Sequence, residues 1–271
     1  MKNYLKILTL LALTACMSGP YKKTNKTYKK QAKQYAKVIS QLPKIDSLGV
    51  AQTNFWAGTT NFSLRKPNIV VIHHTAQKSC EQTLKTFTLE RTKVSAHYVI
   101  CEDGVIHQML NDYMRAWHGG VGRWGTINDV NSSSIGIELD NDGFEPFSEK
   151  QMQSLLNLLT HLKKKYDIPT ANFIGHADIA PTRKNDPNVN FDWNLLSKNG
   201  FGVWYGDTLN LSIPNDFNPY LGLKSIGYHL KDTSAVVVAF KRKYTKTEGS
   251  RILTDADKKI LYSLVRENMK N

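Results

Sequence analysis

The chain has 271 residues, of which 41% are hydrophobic, enough for one medium domain with its own core and a small second one. Its formal net charge is +13, yet ten lysines precede the first acidic residue, Asp46, so everything after Lys44 carries only about +3. A nearly balanced body excludes a basic nucleic-acid-binding domain, no nucleic-acid partner is expected, and the basicity belongs to the N-terminal stretch.

Lys2 and Lys6 open the chain, and residues 7–15 form an apolar run too short to span a bilayer. The run ends in Leu13-Thr14-Ala15-Cys16, which resembles the bacterial lipobox. That resemblance implies a lipoprotein signal peptide over residues 1–15 and acylation of Cys16 as the first mature residue. Met17, rather than an aspartate, follows the cysteine, which implies sorting to the outer membrane. The protein is thus expected in a bacterial cell envelope, lipid-anchored at the periplasmic face of the outer membrane. Residues 16–45 read as a lysine-rich tether, its lysines either against anionic headgroups or freely solvated.

Residues 46–210 read as the main domain. Residues 68–74 include Ile69, Val70, Val71 and Ile72, apolar on both faces, as in a fully buried central strand. Ser79 and Gln82 form a capping-box pattern ahead of a helix through Leu84 and Phe87. Residues 96–100 and 105–110 are β-rich and joined across Asp103-Gly104, the pattern of a hairpin. Residues 134–139 give another strand. Ser148 and Gln151 repeat the capping-box pattern before Met152, Leu155, Leu159, Leu162 and Tyr166, which recur at helical spacing until Pro169. Residues 172–175 give a short last strand. Strands alternating with helices define an α/β class, a mixed central β-sheet flanked by helices. Beyond Pro214, residues 216–271 carry short helical patterns around Leu223, Tyr228, Val236 and Phe240. Thr254 opens a last helix with Ile260, Leu261 and Leu264, which together give a small C-terminal helical domain.

Four segments carry chemistry. His73 and His74 end the first buried strand; alternation turns them to opposite faces, so only one serves a given site, and the apolar faces do not choose between them. Gly175-His176 is followed by Arg183, Lys184 and Asp186 on a loop. One strand-end histidine, His176 and Asp186 form the two-imidazole, one-carboxylate set of a catalytic Zn²⁺ site, whose fourth position is kept for water. Glu138 lies in the apolar run Ser134-Ile135-Gly136-Ile137-Glu138-Leu139, where a carboxylate is costly without a task, and reads as a general base. Ala116-Trp117-His118-Gly119-Gly120 is a loop with an aromatic platform for a substrate. Cys80 and Cys101 form a disulfide in an oxidising compartment if their Cα atoms lie within range.

Together these segments resemble the zinc amidases called amidase type 2, the family that includes the peptidoglycan recognition proteins. The likeness runs over residues 66–207 in the family's order, with Ser95-Ala96-His97-Tyr98 and Ala116-Trp117-His118 in their places and a ten-residue step from His176 to Asp186. Within the family it is most like the outer-membrane lipoprotein branch. The resemblance implies one Zn²⁺ on His73, His176 and Asp186, Glu138 as acid/base, and Lys184 as stabiliser of the oxyanion. It also implies substrate contacts from His97, Trp117, His118 and Arg183. The activity implied is N-acetylmuramoyl-L-alanine amidase, by a zinc-bound water, on peptidoglycan or muropeptides. A monomer is expected, with a C-terminal domain like three-helix peptidoglycan-binding modules. The alternative is a non-catalytic peptidoglycan receptor or tether, which leaves the metal tripod without a purpose.

Overall fold

The computed structural model describes residues 19–41 and 58–270. The signal-peptide and Cys16 readings, and residues 46–57 of the expected main domain, lie outside them. Two compact units divide the chain, Met1–Phe62 and Ser63–Asn271. In the first, the lysine-rich stretch forms helix α1 (Lys22–Ile39), which has no buried residue. No described helix is long and apolar enough to cross a membrane.

The second unit begins with β1 (Ile69–His74), α2 (Cys80–Thr88), β2 (Tyr98–Ile100) and β3 (Ile106–Gln108). The short α3 (Val130–Ser133) then runs directly into β4 (Ser134–Leu139), followed by α4 (Glu149–Tyr166), β5 (Phe173–Gly175), α5 (His176–Ile179) and α6 (Trp193–Lys198). Helices α7 (Pro219–Ser225), α8 (Thr233–Tyr244) and α9 (Asp255–Asn268) close it. The strands form one mixed sheet in the order β3-β2-β4-β1-β5. β1 is parallel to both β4 and β5, β2 is parallel to β4, and only the β2–β3 hairpin is antiparallel.

Alternation sorts the two faces of this sheet. Val70 and Ile72 of β1, with Ile135, Ile137 and Leu139 of β4, meet Leu155, Leu159 and Leu162 of α4. Each such side chain contributes roughly 1.5–3 kcal/mol by leaving water. Ile69 and Val71 point the other way, toward Val130, Ile174 and Ile179. On that second face the parallel register puts His73 directly beside Glu138. The site thus collects at the C-terminal ends of parallel strands, where open α/β sheets present functional groups.

Both expected capping boxes form by half. Ser79 and Ser148 accept from the backbone N–H of Gln82 and Gln151. The Gln82 side chain instead accepts from Lys78 N–H. That of Gln151 turns into the core, donating to the carbonyls of Ile100 and Asp140 at 3.0 and 2.9 Å. Cys80 and Cys101 are joined as a disulfide with Cα atoms 5.3 Å apart, tying the start of α2 to the residue after β2.

The C-terminal helices share a core of Leu223, Tyr228, Val236, Phe240, Leu261 and Leu264, and Ala177 of α5 joins it. One buried polar clamp fixes them to α5. Asp178 accepts from Gly175 N–H (2.8 Å), Tyr228 O–H (2.6 Å) and Lys243 Nζ (2.7 Å). The Lys243 ammonium also sits 4.2 Å from the Trp193 ring centre.

Candidate metal centre and active site

Strand alternation separates the two histidines that sequence left undecided. His74 turns away, its Nδ1 accepting from Asn188 N–H at 3.1 Å. His73 turns to the face of Glu138 and meets two groups from the β5–α5 region. Its Nδ1 lies 2.9 Å from His176 Nδ1 and 3.0 Å from Asp186 Oδ2, and His176 Nδ1 lies 3.0 Å from the same oxygen. All three residues are buried, and together they could hold a metal ion.

The surrounding hydrogen bonds decide what these atoms offer. Ser134 Oγ donates to Val130 O at 2.6 Å, so it accepts from His118 Nε2–H at 3.0 Å. His118 Nδ1 is then a bare lone pair and accepts from His73 Nε2–H at 3.1 Å. That leaves His73 Nδ1 bare. His176 Nε2 faces Gly119 O at 3.3 Å and must donate, which leaves His176 Nδ1 bare as well. Burial, with His176 close by, holds the His73 imidazole down at about 4, and burial holds His118 well below its usual range, so both are neutral at pH 7. Two imidazole lone pairs and a carboxylate oxygen therefore converge in a buried spot with no proton between them. Such donors repel one another unless a cation joins them, and the set fits a borderline-soft divalent metal.

Glu138 stands beside this cluster, with Oε1 4.0 Å from His73 Nδ1. Its Oε2 is buried and has no hydrogen-bond partner among the described residues. Burial, and then the charge of Asp186, raise its carboxyl well above the usual range, while the charge of Lys184 opposes them. Lys184 itself is exposed.

The remaining sequence candidates divide between rim and interior. Trp117 is 50% exposed at the rim. Arg183 is exposed but engaged, its Nη2 donating to Val121 O at 2.8 Å and Gly119 O at 3.3 Å, so it holds the glycine loop. His97 and His118, expected against the substrate, lie in the buried layer behind His73. His97 Nδ1 accepts from Gly136 N–H at 3.0 Å, and its Nε2 donates to Met114 O at 3.0 Å.

Sequence reasoning passed over the residues that build this layer. Ser134 sets the tautomer of His118. Asn131 accepts from the backbone N–H of His118 and Gly119, at 3.3 and 2.8 Å. Arg65 gathers the carbonyls of Tyr113, Asp112 and Ser132. Gly136 carried a readable signal, a glycine inside a β-branched strand. The ring of His118 packs on it, and a Cβ there would collide with that ring. Nothing in the sequence marks Arg65 or Asn131.

This arrangement agrees with what the chain is similar to. The family model for Amidase_2, N-acetylmuramoyl-L-alanine amidase, matches residues 63–189. The chain is 33% identical over 145 residues to the 1,6-anhydro-N-acetylmuramyl-L-alanine amidase AmpD of Salmonella typhimurium, covering 47% of this chain and 78% of that protein. It belongs to this amidase family. Among individual proteins, it is 36% identical over 152 residues to the N-acetylmuramoyl-L-alanine amidase AmiD of Escherichia coli, covering 50% of this chain and 54% of AmiD. It thus spans about half the length of the first curated relatives that it matches. In structure it resembles AmiD of E. coli in complex with the substrate anhydro-N-acetylmuramic acid-L-Ala-D-gamma-Glu-L-Lys. That likeness has a TM-score of 0.67 and 26% identity, and covers 82% of this chain and 96% of that one.

Proposed function

We propose that this chain is a zinc-dependent N-acetylmuramoyl-L-alanine amidase of the bacterial envelope. It hydrolyses the amide between the lactyl group of N-acetylmuramic acid and L-alanine, in peptidoglycan or muropeptides. The observation that carries this reading is the pair of bare imidazole nitrogens facing Asp186 beside the unpartnered oxygen of Glu138. Family membership and the substrate bound to AmiD support the choice of bond.

His73 Nδ1, His176 Nδ1 and Asp186 would hold one Zn²⁺. Bound there, it would supply a water acidified toward roughly neutral pH and a positive charge for the carbonyl oxygen. Glu138 accepts the proton of the attacking water on its free oxygen and returns it to the amine of L-alanine as the C–N bond breaks. Burial makes that carboxyl basic enough to keep the proton between the two steps. Lys184 adds charge near the developing oxyanion; one such donor is typically worth about 3 kcal/mol. Trp117 offers a flat apolar surface at the rim, and Arg183 keeps the loop of Gly119 and Gly120 in place for the substrate. His118 and His97 act from behind, by orienting His73 and bracing β4.

Residues 46–210 would carry this chemistry, with residues 216–271 as a small helical domain. Acylation of Cys16 would anchor the protein to the membrane. The test is the product masses from a defined muropeptide, with zinc and with chelator. Free stem peptide and free sugar, appearing only with zinc, are expected. An intact muropeptide despite stoichiometric bound zinc would overturn the reading and favour a receptor.

A further inference from the structure

Helix α1 has a feature that the amidase chemistry does not use. It carries seven lysines, Lys22, Lys23, Lys26, Lys29, Lys30, Lys33 and Lys37, with no acidic residue and no arginine. At about 100° per residue, all seven fall within an arc of roughly 120°. The opposite side carries Tyr21, Tyr28 and Tyr35, about two helical turns apart, and Ile39 about one turn beyond. All seven lysines are exposed, and none forms a side-chain hydrogen bond or ion pair among the described residues. Segregation this complete is not what a merely solvated spacer needs. Spreading the same lysines around the helix would lower their mutual repulsion, so the crowded face costs the isolated helix stability that a partner must restore.

The shape of the face narrows the partner. The stripe runs along the helix for roughly 22 Å, the form that meets a plane rather than a groove. Lysine is a point charge without the planar fork that reads nucleic-acid phosphates or single carboxylates bidentately. A sheet of diffuse negative charge is its natural complement. We propose that the lysine face of α1 lies flat against the anionic phospholipid headgroups of a bilayer, with the tyrosine face turned outward. The lipobox-like Cys16 lies six residues before the helix, so an acyl chain there and the lysine stripe would act as two signals on one surface. This inference rests on the envelope reading above, but the electrostatic contact exists without the acyl group. Each lysine near such a surface raises association by roughly fivefold, and the effect fades within a Debye length.

The test uses the full chain carrying Cys16→Ser, which cannot be acylated. Its binding is measured on vesicles of mixed phosphatidylglycerol and phosphatidylethanolamine and on vesicles of phosphatidylcholine alone. One variant adds Lys22→Gln, Lys26→Gln, Lys29→Gln, Lys33→Gln and Lys37→Gln. A second keeps composition and charge but breaks the face, by Lys23→Thr with Thr24→Lys, Lys26→Thr with Thr27→Lys, Lys30→Gln with Gln31→Lys, and Lys33→Gln with Gln34→Lys. The expected result is salt-sensitive binding to the anionic vesicles, at least about a hundredfold weaker in the first variant and about tenfold weaker in the second. Equal binding to both vesicle types, or equal binding by the rearranged helix, would overturn the proposal. So would tighter binding to duplex DNA than to the anionic vesicles. Absence of acyl label on the wild-type chain would remove the anchor alone and leave this result standing.

Discussion

At the scale of single residues, one hydrogen-bond chain in the candidate site fixes where each proton sits. Val130 O, Ser134, His118 and His73 form a relay that ends with His73 Nδ1 bare. His118→Ala is therefore expected to weaken zinc binding by about 10–100-fold, measured by competition with a chelator. His118→Gln should recover part of that loss, since an amide oxygen can accept from His73 Nε2–H. Unchanged zinc affinity in the alanine variant would contradict the relay. Glu138→Ala has the opposite signature: zinc stays bound while turnover falls by roughly 10²–10⁴-fold. His97 gives a pH signature. Burial first, and then the charge of Arg65, hold its imidazole at about 4, with the Met114 carbonyl opposing them. The unfolded chain takes up this proton near 6.5 and the folded one only near 4. The neutral ring's contribution is thus complete above about 6.5 and is lost as pH falls from there toward 4, by roughly 3 kcal/mol at most. In metal-free protein, the unfolding free energies of wild type and His97→Gln should converge or cross as pH falls through that window. A constant gap would contradict the assignment. Sequence chemistry offered His176, Asp186, Glu138 and one of two strand-end histidines, and the resemblance chose His73. Sequence did not show the second layer, because a serine opening a strand or a buried histidine on a loop looks like any other until folding joins them.

At the scale of elements, β1 and β4 were readable because a strand buried on both faces needs a continuous apolar run. The hairpin was readable from its turn, and α4 from its spacing. What escaped was the use of particular polar groups. Gln151 looks like a capping partner, but its position faces the gap between β2 and the residue after β4, where two carbonyls need donors. The brief helices α5 and α6 escaped too, since four and six residues give no periodicity. Helix α5 nevertheless carries His176, and the Asp178 clamp braces it from α8. Lys243→Met would leave Asp178 buried without its cation and is expected to cost about 3–5 kcal/mol of stability, read by chemical denaturation. A loss below about 0.5 kcal/mol would show that the clamp does not hold the helices to α5.

At the scale of the whole molecule, the charge asymmetry seen in the sequence has a structural counterpart. Among the described residues, seven of the N-terminal lysines lie on one helix in the first unit, and the second unit holds the amidase-like sheet and its helices. Composition could separate these regions, since lysines without acids stand out in any window. It could not give the helical phase that gathers the lysines on one face, which appears only once the stretch is wound. Nor could it show that Ala177 and Asp178 join the core and the polar bonds of the C-terminal helices.

The most direct test of the central claim is hydrolysis of a defined muropeptide in ¹⁸O-labelled water, with zinc bound, followed by mass analysis of both products. One labelled oxygen is expected in the lactyl carboxylate of the sugar product and none in the released peptide. Label in a peptide carboxylate, or no cleavage by the zinc-loaded protein, would contradict it.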